Sequence, residues 1–357
     1  MLRRNTRTVT VGNVAIGSGH AIAVQSMLCA KSGDLSANIA QARALKDAGC
    51  DIVRLAIPSM EDVSLISSIK QAVDIPLVAD IQFDYRLAIE AAKAGVDKIR
   101  INPGNIGGKD QVDAVVNACR ERHIPIRIGV NSGSLEKNIL QEYGRPTAEA
   151  LVKSAMMHIE MLEERYFTDY LIAVKSSDVI TTVEANRILA QKTDCPLHLG
   201  VTEAGTERMG IIKSSAGIGG LLCEGIGDTI RVSLTGDPVN EVRVAYDILK
   251  SLGLREHGPT LISCPTCGRT RISLEKLALE VERRLADVEE PITVAVMGCV
   301  VNGPGEAREA DVGIAGGIGE GLVFRKGEIL RKVPEDQLVS ELFAEIDKIL
   351  LERKVSR

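Results

Sequence analysis

The chain has 357 residues, with 43 Lys plus Arg against 48 Asp plus Glu and a formal net charge of −5. That length points to two domains, or one barrel with an appendage, and a composition of 45% hydrophobic and 25% charged residues excludes disorder as the main state. No apolar run approaches the roughly 18 residues of a membrane span, and mild acidity with 3% aromatic residues argues against a nucleic-acid binder.

The chain opens on Met-Leu-Arg-Arg-Asn-Thr-Arg, which is basic but has no apolar stretch after it, so a cytoplasmic protein is expected. The segment T-V-T-V-G-N-V-A-I-G-S-G then alternates with Gly punctuation and reads as a hairpin capping one end of a barrel. Short β-branched runs follow at 21–26, 52–56, 76–81, 97–102, 125–131, 170–175, 196–201 and 228–233. Ala- and Leu-rich helical patterns lie between them, as at 38–48, 86–94 and 179–190. Eight βα units predict a (β/α)8 TIM-type barrel. An open doubly wound sheet is the alternative, weakened because no G-x-G-x-x-G follows the first strand. The longer gap from Asn131 to Asp169 holds a helix over about 147–164, preceded by an irregular loop. The glycine-rich stretch 214–227 lies where many barrels bind phosphate, although helix–strand packing explains it equally well.

Residues 252–260 are polar with Gly and Pro and read as a linker. Beyond them come a helix (274–286), a strand (292–297), a second strand (311–315), a hairpin-like stretch (322–329) and a final helix (335–353). The expected division is a barrel over 1–253 and a small α/β domain over 254–357.

Four arginines, Arg54, Arg100, Arg127 and Arg231, each sit between apolar residues of a barrel strand, and Lys175 ends another. Arginine is almost never fully buried without a partner. Ion pairing with Asp80, Asp84 or Glu203 is one reading. A polyanionic ligand at the C-terminal rim is the better one for the whole set, because forked donors suit phosphate oxygens and several cations imply more than one phosphate. Glu203 follows the seventh strand and is a candidate acid or base. Charge balance is its bland alternative. Asn131 and Ser233 are polar groups at the same strand ends.

Of the eight cysteines, Cys29, Cys50, Cys119, Cys195 and Cys223 are scattered, and most read as small core residues. Cys264 and Cys267 form C-x-x-C in a turn-rich loop, and Cys299 follows 32 residues after Cys267 at a strand end. Three readings compete. A structural zinc wants four Cys or His ligands, and a redox pair leaves Cys299 over. An iron–sulfur cluster fits three cysteines plus one other position. Glu306, in the same loop as Cys299, is the natural oxygen ligand.

C-P-T-C-G-R at 264–269 and G-C-V-V-N-G-P-G-E-A-R-E-A-D-V-G-I-A-G-G at 298–317 resemble the 4-hydroxy-3-methylbut-2-enyl diphosphate synthase family. So do V-Q-S-M at 24–27, K-I-R-I-N-P-G-N-I-G at 98–107, G-V-N-S-G-S-L at 129–135 and G-V-T-E-A-G at 200–205. The resemblance covers essentially the full chain. It implies an iron–sulfur oxidoreductase of isoprenoid synthesis, acting on 2-C-methyl-D-erythritol 2,4-cyclodiphosphate. It implies a [4Fe–4S] cluster on Cys264, Cys267, Cys299 and Glu306, and a diphosphate held by Arg54, Arg100, Arg127, Lys175, Arg231 and Ser233. Glu203 and Asn302 match residues near the reacting carbons. Ferredoxin or flavodoxin supplies electrons, and the cluster domain of one chain covers the barrel of its partner in a homodimer. Two departures stand out. Gln82 occupies a position where the family often has His, and Leu28-Cys29-Ala30 replaces a common T-N-T.

Overall fold

The structure is a computed structural model that describes residues 2–102, 104–286, 288–300, 305 and 307–355. The chain divides into two units, Met1–Arg255 and Glu256–Arg357.

The first unit opens with an antiparallel hairpin, β1 (Val9–Val11) and β2 (Val14–Ile16). Gly12 takes the positive φ, +59°, that a two-residue hairpin turn requires. Val9, Val11 and Ile16 pack against Ala23, Ile52, Val78 and Leu171, which lie at the N-terminal ends of barrel strands, so the hairpin forms the barrel floor.

The barrel strands are β3 (Ala23–Met27), β4 (Ile52–Ala56), β5 (Leu77–Asp80), β6 (Lys98–Ile101), β7 (Ile126–Asn131), β8 (Tyr170–Lys175), β9 (His198–Leu199) and β10 (Thr229–Ile230). All pair in parallel in the order β8-β7-β6-β5-β4-β3-β10-β9, and a parallel bridge between Ile172 and Leu197 closes the ring. The fold is therefore the expected eight-stranded parallel barrel. β9 and β10 are shorter than their β-branched runs. The pairing stops at Gly200, where an added Cβ would lie 2.5 Å from Lys175 Nζ and 2.8 Å from the Arg231 carbonyl.

The helices of this unit are α1 (Leu35–Asp47), α2 (Ser64–Ala72), α3 (Tyr85–Lys93), α4 (Lys109–Glu121), α5 (Lys137–Tyr143), α6 (Ala148–Glu163), α7 (Val179–Lys192), α8 (Glu207–Ser214), α9 (Gly220–Cys223) and α10 (Pro238–Ser251). Asp34, Asp84, Thr147, Asp178 and Asp237 cap five of them through side-chain oxygens. The segment expected to be an irregular loop before α6 contains α5. This helix buries only Ile139 and stops at Gly144 (φ +72°), so it offers too short an apolar stripe to read from sequence. The glycine-rich stretch is helical through a single π turn at Ser215–Gly219. A Cβ on Gly217 would lie 2.8 Å from Val201 Cγ2, and Gly227 fits against Leu199, so close packing accounts for both glycines.

The second unit is a sheet of β11 (Thr260–Ser263), β12 (Thr293–Met297), β13 (Val312–Gly316), β14 (Glu320–Arg325) and β15 (Glu328–Pro334), in that order, with helices α11 (Leu274–Leu285) and α12 (Leu338–Val355). β11, β12 and β13 run parallel, and the last three strands form an antiparallel meander. β11 begins in residues that read as linker. Leu274, Leu277, Val281 and Leu285 repeat at helical spacing, and α11 buries them with Leu338, Leu342 and Ile346 of α12 on one sheet face.

Candidate active site

A barrel interior is usually filled by branched apolar side chains. Here the upper interior is charged. Arg54 donates to Met27 Sδ from Nη2 at 2.9 Å and lies 3.8 Å from Asp80 Oδ2. Arg100, opposite Asp80 in register, donates to Asp80 Oδ1 at 3.0 Å. Asp80 thus pairs with two arginines, while Arg100 Nε is left without a hydrogen-bond partner among the described residues. Burial alone would push its carboxyl up, but Arg54, Arg100 and Arg127 outweigh burial and hold it below the ordinary carboxylate range.

Arg231 pairs bidentately with Glu241 of α10, at 3.1 Å for each bond. Glu241 also accepts the Ser26 hydroxyl at 2.8 Å and the Leu234 amide at 3.1 Å. The sequence reading missed Glu241. Its signal was a carboxylate on the buried face of α10, among Pro238, Val242 and Ala245. Asp84, proposed as an internal partner, instead caps α3 and pairs with Arg86 at 2.7 Å.

Arg127 and Lys175 are left over. Arg127 is 1% exposed, and its Nε and Nη1 have no hydrogen-bond partner among the described residues. Lys175 is buried at the end of β8, opposite Asn131. Burial, then the neighbouring arginines, pushes the Lys175 ammonium well below its usual range, and burial brings Arg54 down to about 10. Arg54 therefore remains charged at neutral pH. Four arginines and Lys175 face two carboxylates, Asp80 and Glu241. An orphaned buried donor costs about 1–3 kcal/mol, more when charged. A ligand with several anionic oxygens removes that cost at this rim.

Glu203 and Ser233 lie on the loops after β9 and β10. Glu203 is exposed and holds a left-handed backbone, φ +50°. For a non-glycine residue that conformation costs roughly 1–2 kcal/mol, and such strain concentrates at functional positions. Gln82 is exposed on the loop after β5, whereas Leu28 is buried and Cys29 exposed after β3.

In the second unit the parallel register sets the thiols. Ser263 of β11 pairs with Val296 of β12, so Cys264 and Cys299 both follow strand ends at the C-terminal end of the parallel pair. Cys264 Sγ accepts the Gly298 amide at 3.1 Å, and the Arg271 amide donates to the Gly298 carbonyl at 3.0 Å. The C-P-T-C loop is thereby tied to the residue before Cys299. The backbone N–H of Arg269 draws the exposed Cys267 thiol below its usual range. Amide donors around sulfur and an accessible low-range thiol suit thiolate ligation of iron. Among the described residues no three side chains are gathered closely enough for a single metal ion. Asn302 and Glu306 lie outside the described residues. Cys50, Cys119 and Cys195 are buried and their thiols raised by burial, whereas Cys29 and Cys223 are exposed.

Residues 6–246 match the family model described as the GcpE TIM-barrel domain, and residues 260–348 match that of the GcpE protein C-terminal domain. The chain belongs to the GcpE family. A protein of Clostridium perfringens, named 4-hydroxy-3-methylbut-2-en-1-yl diphosphate synthase (flavodoxin), is 58% identical over 98% of this chain and 100% of its own. Same-named proteins of Geobacter sulfurreducens and Bacillus mycoides are 56% and 54% identical, each over 99% of this chain, covering 100% and 97% of their own lengths. Among solved structures, a sulfonamide complex of Yersinia pestis dihydropteroate synthase superposes with a TM-score of 0.50 at 12% identity, over 70% of this chain and 100% of that one. A 3-dehydroquinate dehydratase of Geobacillus kaustophilus gives 0.50 at 16%, over 70% and 98%. At those identities the GcpE-family barrel shares their fold alone. No helix of the described residues is long and apolar enough to cross a membrane.

Proposed function

We propose that this chain is a 4-hydroxy-3-methylbut-2-enyl diphosphate synthase. It opens the ring of 2-C-methyl-D-erythritol 2,4-cyclodiphosphate and removes a hydroxyl as water. Two electrons and two protons enter, and (E)-4-hydroxy-3-methylbut-2-enyl diphosphate leaves. Full-length identity of 54–58% to proteins carrying that name supports the reaction. The observation that carries the placement of the substrate is the surplus of cations at the barrel rim.

Arg54, Arg100, Arg127, Lys175 and Arg231 bind the two phosphoryl groups, and the Ser233 hydroxyl adds a neutral contact. Arg127 Nε and Nη1 and Arg100 Nε are orphaned donors that phosphoryl oxygens satisfy. Asp80 and Glu241 hold Arg100 and Arg231 in place before the ligand arrives. Pre-set donors lose less entropy on binding than mobile ones. Glu203 transfers the proton that lets the hydroxyl leave as water. Asn302 orients the reacting carbons.

Cys264, Cys267, Cys299 and Glu306 are the residues that would hold a [4Fe–4S] cluster. When bound, that group supplies electrons one at a time and a Lewis-acidic iron. Flavodoxin is the donor in the relatives' names and the donor we propose here. The working unit is a cytoplasmic homodimer, with the cluster domain of one chain over the barrel of its partner.

The test is an anaerobic assay with reduced viologen as electron source. Bleaching on addition of the cyclodiphosphate, with the linear diphosphate as product, supports the reading. No bleaching from protein with full iron–sulfur content overturns it and turns attention to Gln82 and Leu28-Cys29.

A further inference from the structure

Below the rim lies a second polar layer, at the level of the strands' first residues. Lys98 begins β6 two residues before Arg100 and so projects into the same interior. It is 0% exposed, and among the described residues its Nζ has one hydrogen bond, to Gln25 Oε1 of β3 at 3.3 Å. β4 and β5 stand between those two strands, so this bond crosses the barrel lumen. The charged groups that bear on Lys98 are Arg127 from β7 and Arg54 from β4. His198, buried on β9, has Lys175, Arg127, Lys98 and Arg54 bearing on it, and its Nδ1 meets Thr229 Oγ1 of β10 at 3.3 Å. Leu171 of β8 and Val78 of β5 are apolar floor residues. Asp80, one inward step above Val78, is occupied by Arg54 and Arg100.

A buried ammonium offers three donors and demands acceptors or a counter-charge. Lys98 has a single long contact to a neutral amide and faces arginines. Nothing in that layer rewards a charge until an anion arrives. A diphosphate at the rim supplies two negative charges in a low-dielectric interior, where their attraction is weakly screened.

We propose that Lys98 is the proton acceptor that couples diphosphate binding to proton uptake: neutral in the ligand-free barrel, it takes one proton from solvent onto Nζ as the diphosphate binds above it. The proposal rests on the rim being the diphosphate site. Its direction follows from the surroundings. Burial, with Arg127 and Arg54 beside it, pushes Lys98 well below the usual lysine range, and an anion placed above reverses that push. Lys175, depressed by the same causes, gains a proton by direct contact with the ligand. His198 is held neutral by burial first, with Arg127 and Arg54 pushing the same way, and does not compete for the proton.

The test is calorimetric titration of the oxidised holoenzyme with the cyclodiphosphate, without reductant so that no turnover occurs. The cyclic diphosphate carries only strongly acidic protons, so none of those counted come from it. Two buffers of different ionisation enthalpy give the protons taken up. At a pH of about 8 the parent is expected to take up about two protons, one for each lysine, and Lys98→Met about one fewer. Equal uptake by parent and Lys98→Met overturns the proposal. So does loss of binding in a folded Lys98→Met, which would make Lys98 a direct ligand contact. If Lys98→Met does not fold, the parent decides: about two protons support the proposal, and one or none overturns it. A parent holoenzyme that does not bind the cyclodiphosphate at all defeats the proposed function first, a result distinct from binding without uptake.

Discussion

The Arg100 guanidinium lies over Gly129, in the volume a β-carbon at that position would occupy, and its Nη2 donates to the Gly129 carbonyl at 3.4 Å. All three of the atoms nearest to that absent Cβ belong to Arg100, with backbone not among them. Glycine is therefore required here by the side chain across the strand pair. Gly129→Ala should push Arg100 off Asp80 and away from the ligand. We expect cyclodiphosphate affinity to fall about tenfold, or ~1.4 kcal/mol. The melting temperature should stay within a few degrees of the parent, since a flexible side chain can yield. Unchanged affinity by calorimetry would remove Arg100 from the diphosphate site.

Asp80 holds two arginines, so Asp80→Asn strands both. Breaking a buried pair by removing one partner costs about 3–5 kcal/mol. The lower end applies, because Arg54 and Arg100 keep some solvent access. The ligand should stabilise this variant more than the parent, by replacing the lost negative charge. Asp80's folded-state pKa lies below its unfolded value of 3.8. Its contribution is therefore present above that value and is lost as pH falls through the folded pKa. Asp80→Asn should show a weaker loss of stability on acidification in that window. Parallel acid-unfolding curves for parent and variant would remove Asp80 from the account.

The barrel was legible because short β-branched runs and helical stripes alternate in chain order, and the cysteine loops stood out because C-x-x-C and turn-rich neighbours are unusual together. The cationic residues showed themselves one strand at a time. What the chain order hid was pairing at a distance. Glu241 meets Arg231 only because α10 returns to the first strand, where it also receives Ser26. Lys98 stood in a quoted motif, yet its isolation depends on Gln25 across the lumen and on arginines from other strands. α5 and β11 are too short to carry a periodic signal.

Lys98 also makes a prediction about stability without ligand. A lysine whose folded pKa is depressed binds fewer protons folded than unfolded. Stability then rises with pH between the folded pKa and the unfolded value of 10.5, and is lost as pH falls. Lys98→Met keeps a similar length and removes the titration. It should melt higher than the parent at neutral pH, by several degrees, with the gap closing toward alkaline pH. Thermal melts across that range would show it. A variant that melts lower at every pH would mean that Lys98 is charged and satisfied in the free protein.

The thiol loops and the barrel should fail separately. Cys267 is exposed with its thiol lowered by the Arg269 amide, and Cys264 is tied to Gly298 through its sulfur. Cys264→Ser, Cys267→Ser and Cys299→Ser should each abolish the visible iron–sulfur absorption and turnover. Each should keep a cyclodiphosphate-induced rise in melting temperature, because the rim cations belong to the first unit. Glu306→Ala should retain absorption but lower turnover at least tenfold, about 1.4 kcal/mol in the barrier. An oxygen ligand on a thiolate-held cluster is replaceable where a thiolate is not. Full activity in any cysteine variant would break the ligand set, and a Glu306→Ala protein with parental rate and spectrum would remove the carboxylate from it.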